Sequence, residues 1–155
     1  MASEWETFCD AVALDLTTNV VSLRDALVHL YAPYDPEELV ADPGEHHLSI
    51  FPVADSAQEA QPLTTDGGAE HIEIYRILYW EHAGDESVRG IADTEAARAL
   101  LQLAQDTRDR FYKRANQFMA NSTSVRYVGT AFPDRSGVIR WFAIGIRAKR
   151  AITLS

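Results

Sequence analysis

The chain has 155 residues, of which 46% are apolar, and carries 14 Lys and Arg against 23 Asp and Glu, for a formal net charge of −9. This length and composition predict one domain over residues 1–155 with a substantial core, and argue against disorder throughout. The acidic balance argues against specific nucleic-acid binding, because affinity for phosphate backbones comes mainly from basic side chains. No apolar run reaches the roughly 18 residues of a membrane-spanning helix, so no membrane partner is expected. The acidic start of the chain is unlike an export signal, which predicts a cytoplasmic protein.

An amphipathic helix is predicted near the N-terminus. Ser3 is typical of an N-cap, and Glu4 and Glu6 suit the positive end of the helix dipole. The polar cluster at residues 17–19 is predicted to end the helix. Its buried face is predicted from apolar residues at spacings of three and four: Trp5, Phe8, Cys9, Val12 and Leu16.

Residues 20–31 fit two patterns. Read with period two, Val21, Leu23, Leu27 and Tyr31 share one face of a strand. Read as a helix, Leu23, Leu27 and Tyr31 align with Leu30. Leucine and alanine favour the helix and the paired valines favour the strand, so the residues leave both readings open.

The remaining elements predict the fold class. Strands are predicted at 47–53, 71–80, 125–132 and 138–146, the last two paired as an antiparallel hairpin. Pro52 is expected at an edge or an end of its strand. Residues 71–80 carry large apolar groups on both faces, which indicates a central strand or one whose second side is covered by a partner. A second helix is predicted from a cap at Asp93 to about Gln117. Its buried stripe is predicted to be Ala97, Leu100, Leu101, Ala104 and Phe111. We therefore expect an α+β fold, with a mixed, mainly antiparallel sheet of four to five strands and two main helices packed on one face.

Residues 54–68 are small and polar, and are predicted to form a long hairpin loop. One interpretation is an arm that contacts another subunit; the other is a surface insertion without a role. The residues assigned to this candidate assembly loop are Asp55, Glu59, Asp66, Gly67 and Gly68.

The predicted strands are rich in large aromatic residues. Two helices cannot cover both faces of such a sheet, so some aromatic side chains are predicted to contact a partner. Tyr75, Tyr79 and Phe142 are the candidates. The alternative is that all of them lie in one core.

Catalytic motifs are scarce in this sequence. Three Glu–His steps occur, at residues 45–46, 70–71 and 81–82. If His47 and His71 stood on paired strands and faced the same way, a two-histidine metal site would form, and a small metal-dependent hydrolase would be an alternative function. His46 and His47 point to opposite faces of a strand and cannot serve one ion together. Because this spacing is not diagnostic, we predict no catalytic residue, no metal and no cofactor.

The order of elements resembles a known family. It comprises an N-terminal helix, the pattern Tyr-x-Pro-Tyr-Asp-x-x-Glu-Leu at 31–39, a strand ending in Pro52 and Val53, the run His-Ile-Glu-Ile-Tyr-Arg-Ile at 71–77, a helix and a final hairpin. This layout is similar to the tail-terminator (tail-completion, or minor tail) proteins of long-tailed bacteriophages.

The resemblance implies a structural virion component. Such proteins form a hexameric ring on the head-proximal end of the tail tube, and its partners would be further copies of the chain, the tube and head-connector proteins. It also implies a strand over residues 20–31. The alternative is a cytoplasmic adaptor that binds another protein through an exposed sheet face.

Overall fold

The computed structural model describes residues 3–29, 39–57, 69–82, 91–113, 122–131 and 139–152. These form one mixed sheet of five strands in the order β1-β2-β3-β5-β4, in which only β1 and β2 are parallel. The helices are α1 (Glu4–Asn19) and α2 (Ile91–Lys113), and the strands are β1 (Leu27–His29), β2 (His46–Ala57), β3 (Ala69–His82), β4 (Ser122–Ala131) and β5 (Ile139–Ile152). The predicted α+β class and mainly antiparallel sheet are confirmed.

Helix α1 begins as its sequence predicts. The Ser3 hydroxyl accepts a hydrogen bond of 3.1 Å from the backbone N–H of Glu6, and the helix ends at Asn19. Four residues of the predicted buried face are buried: Phe8, Cys9, Val12 and Leu16. Ala13 is buried with them. The prediction is wrong for Trp5, which is 43% exposed. Trp5 shares their face but lies in the first turn, where the described chain does not cover it.

Neither pattern proposed for residues 20–31 is right over its full length. Val21–Leu23 form one 3₁₀ turn, and Leu27–His29 form a strand of three residues that pairs with β2. Val20 already has an extended backbone conformation, which ends α1 and prevents a longer helix. The strand implied by the resemblance is therefore present only at its C-terminal part, and residues 30–31 lie outside the described residues.

Strand β2 is longer than predicted. Residues 54–57, assigned to the loop, pair with β3, and Asp55 lies exposed on β2 opposite Glu73. Glu59, Asp66, Gly67 and Gly68 lie outside the described residues. Pro52 is inside the strand and not at its end, with a register shift between Pro52 and Ala54. Within the described residues β1 pairs only as far as Ser49, so β2 has no neighbouring strand on that side at Pro52, and such an edge position tolerates proline.

Strand β3 is central, and β4 and β5 pair antiparallel, as predicted. Alternate residues of the sheet form successive cross-strand rows on one face, of which Leu48–Tyr79–Phe142 is one and Ile50–Ile77–Ile144 the next. We call this the core face. Its side chains belong to one buried cluster that also contains buried apolar residues of both helices.

The buried stripe of α2 differs from its prediction. Leu100, Ala104 and Phe111 are buried, but Ala97 and Leu101 are exposed. Leu103 and Thr107 are buried instead, and the Thr107 hydroxyl donates to the Leu103 carbonyl at 2.8 Å, which removes the cost of burying it. The helix also begins at Ile91, so Asp93 lies inside it and is not its cap.

The interface proposed for Tyr75, Tyr79 and Phe142 is wrong. They are 0%, 2% and 0% exposed within the chain's own core. The Tyr75 ring packs against Phe8 of α1 at a centroid distance of 4.4 Å, and Tyr79 stacks on Phe142 at 5.2 Å. For these three residues, the alternative that the aromatic residues fill a core is confirmed. Neither helix of the described residues is long and apolar enough to span a membrane.

Candidate functional site

The face of the sheet opposite the core, here called the open face, is also apolar. Its side chains form a second, smaller cluster with Leu39 and Ala41. The members of this cluster are Leu39, Ala41, Phe51, Leu78, Trp80, Ile139, Trp141 and Ala143. Phe51, Trp80 and Trp141 belong to this second cluster and not to the main core.

The chain itself covers one part of the open face. The Trp80 indole N–H donates to the Val40 carbonyl at 3.1 Å, and Leu39 and Ala41 are buried beside it. This contact fixes residues 39–41 over the sheet.

The neighbouring part of the open face is a groove of about 530 Å³. Its walls are mainly apolar, with one arginine: Phe51, Arg76, Leu78, Val128, Gly129, Thr130, Ala131, Trp141, Ala143 and Gly145. Because most of the lining side chains are apolar, the groove suits an apolar group better than a polar one.

Two glycines create the groove. Gly129 of β4 is paired directly with Gly145 of β5, beside the register shift that leaves Val128 unpaired. A Cβ atom at Gly129 would meet nothing within 4 Å, and one at Gly145 would make only ordinary contacts, the nearest at 3.8 Å. Neither glycine has positive φ, so the backbone does not require them. Glycine weakens a strand by roughly 0.5–1 kcal/mol and often marks a place where a ligand or another backbone approaches closely.

Positive charge follows the groove along the open face. Arg76 lies opposite Gly145, Arg147 lies opposite Arg126, and Lys149 comes two residues further along β5. We call these four residues the basic strip. Arg76 and Arg126 are exposed, and Arg147 and Lys149 are half-buried.

The arginines of the basic strip have no acidic partner among the described side chains. Within the part of the chain that the structure describes, Arg76, Arg126 and Arg147 form no ion pair. The acid nearest in register, Glu73, is buried on the core face. Like charges directly opposite on paired strands are destabilising, as for Arg126 and Arg147. The opposed arginines Arg126 and Arg147 and the glycine pair are therefore two neighbouring features that lower stability without a structural need. Such features are typical of a functional surface.

One further group at the groove is unsatisfied. The Trp141 indole nitrogen is buried and finds no acceptor among the described residues. Buried donors are nearly always paired, so this N–H is an exception among the described residues that line the groove.

A histidine stack lies near the end of the sheet. His47 stacks on Trp80 with ring planes 5° apart and centroids 5.0 Å apart, and His29 lies against both rings. A hydrogen bond of 2.9 Å joins His29 Nε2 to His47 Nδ1. Burial, and then the nearby His29, lower the pKa of His47. The neutral ring is therefore favoured, and it ties the short β1 to β2.

A polar network lies at the same end of the sheet, on the core face. The Tyr79 hydroxyl donates to Glu81 at 3.0 Å and lies 3.3 Å from His46 Nδ1, while Arg140 pairs with Glu81 at 3.6 Å. Burial and the Glu81 carboxylate raise the pKa of Tyr79 above its ordinary value, so the phenol stays protonated. These contacts give the Tyr79 hydroxyl and the Glu81 carboxylate polar partners at the rim of the core.

The metal site considered from the sequence is wrong in its geometry. His47 lies opposite Trp80, whereas His71 lies opposite Ala57, at the other end of β3. His46 and His47 face opposite sides of the sheet, as predicted. The described residues contain no group of three or more His, Cys, Asp or Glu that could hold a metal ion. His71 instead contacts Asp55 at 3.3 Å, away from the groove.

Sequence reasoning missed the groove, because the signal is the register that places Gly129 opposite Gly145. No protein-family model matches the chain, and a search of curated proteins gave no match either. Its function is therefore inferred from the shape and charge of the open face.

Proposed function

We propose that this chain is an assembly protein that acts by docking another protein chain in the open-face groove, and not by catalysis. The observation that carries the proposal is the glycine pair Gly129–Gly145, which lines an apolar groove beside arginines that form no ion pair with the described residues. An occupant that fits would present an apolar side chain surrounded by carboxylates. Such an anchor in a pocket with a charged rim is how protein interfaces concentrate their binding energy.

Two features favour a protein over nucleic acid as the occupant. The groove walls are mainly aliphatic and aromatic, and the surplus of acids elsewhere on the chain repels a long polyanion. A short acidic segment with one large apolar group satisfies both the walls and the basic strip.

In its more specific form, we propose a ring subunit of the tail-terminator kind, which caps a phage tail tube and joins it to the head. The support is the resemblance in element order, together with an open face suited to docking. The partners would be further copies of the chain, the tube protein and a head-connector protein, and the location would be the cytoplasm and then the virion. The adaptor alternative uses the same face with an unrelated partner.

Sedimentation velocity of the full chain tests this proposal. The chain is run alone and with the tube and head-connector proteins encoded by neighbouring genes. We expect a complex in at least one sample, and its loss when Gly129→Leu fills the groove. A wild-type chain that stays monomeric in every mixture, or a Gly129→Leu chain that assembles normally, would contradict it. Neighbouring capsid, portal and tail genes would separate the phage form from the adaptor form.

The segment between β2 and β3 is a second proposed contact. It includes Glu59, Asp66, Gly67 and Gly68, and we propose that it acts as an arm that contacts a neighbouring subunit. Residues 54–57 pair with β3, so a deletion has to leave them intact. Removal of residues 59–66, with a short turn in their place, is expected to weaken assembly and leave the fold unchanged. Normal assembly of the shortened chain would show that the segment is not an arm.

A further inference from the structure

The first turn of α1 has the apolar and acidic character that the groove and the basic strip require of an occupant. Helix α1 contains Glu4, Glu6, Asp10 and Asp15 and no Lys or Arg. In its first turn, Trp5 is 43% exposed between two of these acids. Among the large apolar residues that the described structure leaves exposed, Trp5 alone has an acid on each side in the sequence.

We propose that the open-face groove binds the acidic first turn of α1 from a second copy of this chain, with Trp5 as the anchor. The proposal rests on the docking role of the groove proposed above and names its occupant. In this contact the charges are complementary, since the basic strip of one copy meets a helix end of the other whose charged residues, Glu4 and Glu6, are both acidic. The groove volume of about 530 Å³ leaves room for an indole ring. Trp is among the residues that most often dominate interface energies.

The position of the two surfaces sets the type of contact. Helix α1 packs on the core face, and the groove lies on the opposite face of the sheet. A chain therefore cannot place its own Trp5 in its own groove. Each copy would use its helix end on one neighbour and its groove on another. Such a heterologous contact generates a closed ring if the rotation closes and an open filament if it does not.

Charge reversal across the contact tests the proposal. Glu6→Arg and Arg76→Glu each place like charges together, and either change alone is expected to weaken self-association by roughly tenfold or more. Trp5→Ala is expected to do the same through loss of the anchor. Matched controls are Asp25→Arg, on the exposed turn after α1, and Arg98→Glu, on the exposed side of α2. They change the net charge equally and should leave self-association unchanged.

Mixing the two reversed chains gives the decisive result. In an equimolar mixture, the helix end of the Glu6→Arg chain can bind the groove of the Arg76→Glu chain. This contact again pairs opposite charges, because both signs are reversed. The other contact, between the unchanged helix end of one chain and the unchanged groove of the other, retains the wild-type pair. We expect light scattering to show assembly in the mixture and not in either chain alone. Misfolding of a variant cannot produce this restoration.

Four results would overturn the proposal. The first is a wild-type chain that stays monomeric at about 1 mM in low salt, where charged contacts are screened least. The second is loss of assembly in Gly129→Leu while Trp5→Ala and Glu6→Arg assemble normally, in which case the groove binds another occupant and the docking role survives. The third is normal assembly of Gly129→Leu, which removes the docking role as well. The fourth is a single-stranded oligonucleotide that binds the wild-type chain and is released by Gly129→Leu.

Discussion

Arg110 of α2 donates two hydrogen bonds of 2.8 Å to the carboxylate of Asp15 in α1. The two side chains are only 16% and 13% exposed, and they join residues 95 positions apart. The contact with Asp15 raises the pKa of the Arg110 guanidinium above its ordinary value. This pair joins the two helices directly.

Loss of this pair should destabilise the chain. Arg110→Met leaves the Asp15 carboxylate largely buried without its partner, and we expect the free energy of unfolding to fall by about 2 kcal/mol. Arg110→Lys keeps the charge but loses the paired geometry, so its effect should be intermediate. Urea unfolding measures both.

The matched control is Arg108→Met. Arg108 pairs with its exposed neighbour Asp109, and loss of such a surface pair has no measurable effect. Equal stability of the Arg108 and Arg110 variants would show that the bidentate pair contributes nothing.

Residue patterns predicted the elements better than their contacts. The period of three and four placed Phe8, Val12 and Leu16 in the core, because an amphipathic helix has one apolar face to bury. The contact between Asp15 and Arg110 could not be predicted, because no local pattern relates residues so far apart.

The groove could not be predicted from the sequence for a related reason. Tyr75 and Trp80 lie on opposite faces of β3, both apolar, and nothing in the sequence tells which face the helices cover. Gly129 and Gly145 look like ordinary strand glycines until the register puts them side by side. The bulge at Val128 sets that register, and alternation patterns do not reveal such bulges.

Stability should fall in mild acid because of His47. Its pKa is lowered in the folded chain from its ordinary value of 6.5, so the unfolded chain binds the proton more tightly. The neutral His47 ring therefore contributes fully to the free energy of unfolding above about pH 6.5. This contribution is lost as the pH falls towards the pKa of His47 in the folded chain. His47→Phe keeps the stack on Trp80 and removes the titration. We expect chemical unfolding between pH 8 and pH 5 to show a smaller loss of stability in this variant than in the wild type.

A control separates His47 from the other histidines. His71→Gln changes a histidine that contacts Asp55 at the other end of β3, and it should not reduce the loss of stability on acidification. If His47→Phe and the wild type lose stability in parallel, the stack does not resist protonation.

Filling the groove should not harm the fold. Gly129→Leu adds a side chain where a Cβ meets nothing within 4 Å, and it removes the extra backbone freedom of glycine. We expect thermal and urea unfolding to show equal stability or a gain of up to roughly 1 kcal/mol.

Gly44 provides the contrast. Its φ angle is 85°, a backbone conformation that residues with a side chain rarely adopt. We therefore expect Gly44→Leu to lower the free energy of unfolding by about 1 kcal/mol or more. A large loss of stability in Gly129→Leu would mean that the space above the glycine pair is not free.

The central claim, that the groove is covered on assembly, can be measured with a single thiol. The one native cysteine, Cys9, is buried, so a cysteine placed on the surface reports its own position. Val128→Cys places it at the groove, where Val128 is 60% exposed, and Leu101→Cys places it on α2, at a residue 53% exposed. The measurement is the rate of maleimide labelling at protein concentrations that range from dilute monomer to the assembled state. We predict that labelling of Val128→Cys slows in proportion to the assembled fraction while Leu101→Cys keeps its rate, and equal rates at both positions in the assembled state would contradict the account.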